Sequence, residues 1–120
     1  MSPRPPPRGA TTTTDTSNRP ALACDLTAFT PEERERHASL WKQARALAPE
    51  PQATASGVAF RLPARPDLAR DLVELAALEQ RCCPFLRIVV AFEPDGATLT
   101  LTLEGDDGVR EFLAGDVLPR

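Results

Sequence analysis

The tightest constraint on this chain lies at Glu79-Gln80-Arg81-Cys82-Cys83-Pro84-Phe85, where a helical repeat stops and a strand repeat begins. Upstream, Leu68, Leu72, Leu75 and Ala76 recur at steps of three and four, which marks one face of a helix. Glu79 falls on the same face, with Cys82 three and Cys83 four positions further on, so the carboxylate and at least one sulfur are neighbours on the helix surface. A stripe that should be apolar to its end finishes in ligand-type groups. Pro84 forbids continuation and pushes the residue before it out of the helical region. Cys82 therefore closes the last turn, Cys83 leaves it, and the two thiols are expected to point in different directions.

The rest of the chain supplies a small scaffold for this junction. Residues 1–22 are Pro-rich and then Thr-rich, with no hydrophobic period that would offset the entropy of ordering them, and read as a disordered tail. Residues 23–120 read as a single domain. Thr30-Pro31-Glu32-Glu33 has the form of a capped helix start. The helix that follows carries His37, Leu40, Trp41, Ala44 and Leu47 on its inner face, and Ala48-Pro49-Glu50-Pro51 ends it. After a polar connection over Gln52 to Ser56, Val58, Phe60 and Leu62 alternate as a half-buried strand. Beyond Pro84, Leu86, Ile88, Val90 and Phe92 mark a second strand, Glu93-Pro94-Asp95-Gly96 a hairpin turn, and Thr98 to Leu103 a third strand with leucines in and threonines out. A short helix with Val109, Phe112 and Leu113 closes the pattern. The order α-β-α-β-β-α predicts an α+β two-layer sandwich, with helices on one face of a small, mainly antiparallel three-stranded sheet. It is partly ferredoxin-like, a fourth strand being available only from the tail Asp116 to Arg120.

Composition narrows the function. In 120 residues only one modest core can form. Arg4, Arg8 and Arg19 against Asp15 give +2 before Cys24, so the formal net charge of −3 becomes −5 over residues 24–120. An acidic body without a basic face excludes ordinary nucleic-acid binding. No run approaches the roughly 18 apolar residues of a membrane span, and the first residues lack the apolar core of a secretory signal. A cytoplasmic protein with reduced thiols is the expectation, since three cysteines make no disulfide framework.

Phosphate-binding, dinucleotide-binding, serine-hydrolase and zinc-protease signatures are all absent. Chemistry is left to Cys24, His37, Glu79, Cys82 and Cys83. Thiophilic ions such as Zn(II), Cu(I), Hg(II) or As(III) need two to four thiolate or imidazole groups and little else. Each residue also has a plain structural reading. Free cysteine often serves as a small buried hydrophobe, a histidine on an apolar face often makes one hydrogen bond, and Glu79 has Arg61, Arg81 or Arg87 as candidate partners. A thiolate at a helix C-terminus faces the negative end of the dipole and the Glu79 charge, which favours a bound cation over a free nucleophile by a small margin.

The segments Cys24-Asp25-Leu26-Thr27-Ala28-Phe29-Thr30-Pro31-Glu32-Glu33-Arg34-Glu35-Arg36-His37, Glu79-Gln80-Arg81-Cys82-Cys83-Pro84-Phe85-Leu86 and Gly108-Val109-Arg110-Glu111-Phe112-Leu113 resemble a family of short bacterial proteins without an established activity, loosely associated with heavy-metal handling. The resemblance spans residues 24–113 and implies that Cys24, His37, Glu79, Cys82 and Cys83 belong to one site. The expected function is binding of a thiophilic metal or metalloid for sequestration, delivery or sensing, rather than turnover. The alternatives are a thiol or redox enzyme using the vicinal pair, and an interaction module with core cysteines. No nucleic-acid or membrane partner is expected; a homodimer is compatible with the flat, Thr-rich hairpin.

Overall fold

A computed structural model describes residues 25–116, without the side chain of Asp116. The tail over residues 1–22 and Cys24 lie outside the described residues. After a 3-10 turn at Leu26–Ala28 come α1 (Pro31–Leu47), β1 (Gln52–Ala53), β2 (Gly57–Pro63), α2 (Pro66–Cys82), β3 (Arg87–Phe92), β4 (Thr98–Glu104) and α3 (Asp107–Asp116). The result is an α+β fold in which the four strands form one antiparallel sheet in the order β1-β2-β4-β3.

Three strands were expected, and the sheet has four. The extra one is β1, the first part of what reads as a polar connection, which pairs Gln52 with Ala59 and Ala53 with Val58. Two exposed residues carry no alternation to betray a strand. β1 also occupies the sheet position beside β2 that the expected topology left to the C-terminal tail. Asp116 ends α3 instead, and residues 117–120 lie outside the described residues. β2 and β3 run parallel, joined through α2, with β4 between them and antiparallel to both. That is the split strand-helix-strand unit on which the partial ferredoxin-like expectation rested.

Helix starts follow local chemistry. Thr30 caps α1 in a reciprocal box: its hydroxyl accepts from Glu33 N at 3.1 Å while Glu33 Oε1 accepts from Thr30 N at 3.0 Å. The β3–β4 turn closes with Gly96 N donating to Glu93 O, Gly96 taking φ of +71°. Asp95 stabilises the return by accepting from the backbone of Ala97 and Thr98.

One core joins all the layers. Phe60, Leu99, Leu101 and Leu103 from the sheet cluster with Leu40 and Ala44 from α1, Leu68, Leu72 and Leu75 from α2, and Val109 and Leu113 from α3. Burying such a side chain fully contributes about 1.5–3 kcal/mol against the exposed state. Leu47 departs from expectation: it is exposed, and Ala48, the C-cap of α1, is buried in its place. Among the described residues no helix is long and apolar enough to cross a membrane.

Candidate metal centre

α1 and α2 present the site to each other and are locked by two bidentate ion pairs of opposite sense. Arg36 of α1 grips Glu74 of α2 with Nε and Nη2 at 3.0 and 2.8 Å. Arg81 of α2 grips Glu33 of α1 with Nη1 and Nη2 at 2.7 and 3.0 Å, and Nη2 also donates to Ala28 O at 2.7 Å. The Arg81 guanidinium holds the Glu33 carboxyl down at about 2. Arg81 further lies over the Phe29 ring, whose centroid is 5.1 Å from that of His37.

Between these clamps, His37, Glu79 and Cys82 converge, their ligand atoms all within 4.8 Å of one another. Glu79 Oε1 accepts from Trp41 Nε1 at 2.9 Å and lies 2.8 Å from His37 Nε2. Cys82 Sγ lies 3.9 Å from the same Nε2. Each residue is where its helix requires it to be. His37 and Trp41 are one turn apart on the inner face of α1; Glu79 and Cys82 share the inner face of the last turn of α2.

Glu79 is 5% exposed. An isolated buried carboxylate would be strongly disfavoured, and the arginine partners offered by the sequence are engaged elsewhere. Arg81 holds Glu33, Arg87 holds Glu104, and Arg61 lies near Asp95. Trp41 and His37 take that role. Trp41 was read from the sequence only as an apolar residue; the signal for its second function is its spacing of four from His37. Its ring packs on Phe60 with centroids 5.3 Å apart, so the same side chain ties the site to β2.

Cys82 is fully buried and is a free thiol, donating to Glu79 O at 3.6 Å. Burial, reinforced by the Glu79 charge, pushes it up to about 11. Cys83 caps α2, its N–H donating to Glu79 O at 2.7 Å, and is disulfide-bonded. The helix ends between the two cysteines as expected, yet their sulfurs lie 3.6 Å apart, so the pair is not splayed. Cys24 lies outside the described residues. The next residue, Asp25, donates its backbone N–H to Cys82 O at 2.8 Å.

The arrangement limits the chemistry. In a nucleophile relay, thiol and carboxylate address opposite nitrogens of the imidazole, one to be deprotonated and the other to orient. Here both converge on Nε2, the pattern of donors around a shared cation. Imidazole, carboxylate and thiol are a zinc-type set. Around a tetrahedral ion at ordinary bond lengths such donors sit roughly 3.4–3.6 Å apart. The two separations from His37 Nε2, 2.8 Å to Glu79 and 3.9 Å to Cys82, lie either side of that range, and all three donor atoms lie within 4.8 Å of one another, so the side chains must shift to seat an ion.

No protein-family model, curated protein or solved structure matches the chain. The resemblance drawn from the sequence therefore rests on its motifs alone.

Proposed function

We propose that this protein binds a thiophilic metal or metalloid ion through His37, Glu79 and Cys82, with Cys83 and Cys24 joining the donor set when the chain is reduced. The observation that carries the reading is the convergence of a carboxylate and a thiol on one imidazole nitrogen in a buried niche. Cys24 enters by sequence, as the residue preceding the Asp25 N–H that is hydrogen-bonded to Cys82. A site whose carboxylate and thiol are buried suits sequestration, delivery or sensing better than turnover.

The test is titration of the reduced, chelator-treated full chain with Zn(II), Cu(I), Hg(II) and arsenite, counting reactive thiols. At least one ion is expected to protect thiols at stoichiometric amounts, with Cys82→Ser and His37→Ala each weakening binding at least roughly tenfold, since ligands and their close partners carry such losses. Full thiol reactivity with every ion would end the proposal.

One observation favours a second reading, thiol–disulfide exchange: the free Cys82 sulfur lies 3.6 Å from the sulfur of disulfide-bonded Cys83. Exchange needs a thiolate. A Cys82 thiol that reacts with iodoacetamide at neutral pH in the metal-free protein, with no metal uptake, would select this reading over the first.

A further inference from the structure

The sheet has two unlike edges. β1 ends it on one side with two residues, Gln52 and Ala53, both exposed. Among the described residues β3 ends it on the other with six, Arg-Ile-Val-Val-Ala-Phe, a run with no proline and no charge beyond Arg87. Ile88 and Val90 are only half-buried and Phe92 is 71% exposed, although all three belong to the face that buries leucines on β4. Long apolar edges template pairing with another chain, and folded proteins usually blunt them.

The backbone phase shows which residues face outward. Glu93 N donates to Thr98 O at 2.9 Å, just beyond the last ladder pair, Phe92 with Leu99. In an antiparallel ladder, hydrogen-bonded and non-bonded pairs alternate. Arg87, Val89 and Ala91 therefore turn their amides toward β4, while Ile88, Val90 and Phe92 turn theirs to the open edge.

We infer that β3 is a dimerisation edge whose partner is β3 of a second copy of this chain, in the antiparallel register centred on Val90. In that register the outward residues pair with one another: Val90 with its own counterpart and Ile88 with Phe92, each exchanging two backbone hydrogen bonds. Each exposed Phe92 ring covers the other copy's half-buried Ile88. On the opposite face, Val89 meets Ala91, and at both ends of the interface Arg87, which pairs with Glu104 in its own chain, comes opposite Glu93, whose carboxylate accepts from Thr100 Oγ1. A register centred on Val89 keeps the faces matched but sets Phe92 beyond the strand, opposite Leu86, and forms neither charge pair. The contact is isologous and closes on itself. The remaining edges of the joined sheet are the two short β1 strands, so growth stops at the dimer.

The experiment is sedimentation velocity of the full chain over a concentration series, with unfolding curves to verify each fold. Wild type is expected to dimerise, and Val90→Pro to be monomeric yet folded, because it removes an outward N–H and no bond to β4. Arg87→Glu sets Glu against Glu twice in its homodimer, and Glu93→Arg sets Arg against Arg twice. Each alone is expected to weaken dimerisation at least tenfold, whereas a mixture of the two restores opposite charges at both ends and is expected to form a one-to-one heterodimer. A wild-type chain that stays monomeric, a Val90→Pro chain that still dimerises, or a mixture that recovers nothing would each overturn the inference.

Discussion

A carboxylate at the inner face of α2 has to be stabilised by something, and the identity of its partners separates a structural ion pair from a ligand site. Among the described residues, Glu79 is served by an indole N–H and an imidazole nitrogen. Removing one donor leaves a buried acceptor short by one bond, which costs about 1–3 kcal/mol. Trp41→Phe, which keeps a ring against Phe60, is accordingly expected to lower stability by about that amount in guanidinium chloride unfolding; an unchanged midpoint would show that the indole bond to Glu79 contributes nothing. His37, Glu79 and Cys82 were legible in the sequence because helical spacing alone aligns side chains on one face. The polar role of Trp41 was not, because it depends on how α1 is rotated against α2. The sulfur–sulfur approach of Cys82 and Cys83 was missed for a related reason: leaving the helix at Cys83 redirects the backbone, but side-chain torsions decide where the sulfur goes.

At the scale of elements, the clamps that hold α1 on α2 are exposed and titratable. Glu33 is held below its ordinary range chiefly by hydrogen bonds from Arg81, with the Thr30 backbone adding to them. A carboxyl lowered in the folded state contributes stability that is present above its unfolded value, near 4.5, and is lost as pH falls through the folded value, about 2. Between those limits the thermal midpoint of wild type is expected to fall more steeply than that of Glu33→Gln; parallel acid limbs would show that the clamp does not couple to folding. The seam between β2 and β4 gives a second test. A Cβ at Gly57 would lie 1.9 Å from Leu103 O, and the obstacle is backbone that no rotamer change can move. Gly57→Ala is expected to destabilise by about 1–3 kcal/mol, as overpacking does, and a neutral outcome in denaturant unfolding would mean that the strands part there at little cost. The Thr30–Glu33 capping box, the Pro84 stop and the β3–β4 hairpin were readable because each is written in neighbouring residues. β1 was not, because two paired residues leave no period, and their strand character comes entirely from the partner across the hairpin.

At the scale of the molecule, the site sits between two helices that meet the sheet through one core, so an ion held by His37, Glu79 and Cys82 would join α1 to α2 as the two ion pairs do, but from inside. Binding to the folded state alone adds stability in proportion to the logarithm of ion concentration over Kd, about 2.7 kcal/mol at a hundredfold excess. For a domain of this size each kcal/mol moves the thermal midpoint by about 4–8 °C, so an increase of roughly 10–20 °C is expected on saturating the reduced chain. The sign of the shift is the informative part. Cysteines of an unfolded chain also capture soft ions, and capture by that state lowers the midpoint instead. A rise that Cys82→Ser abolishes and a chelator reverses would place the ion between the helices, whereas a fall, shared equally by wild type and Cys82→Ser, would assign the thiols' affinity to the unfolded chain and leave His37 and Glu79 as partners of each other.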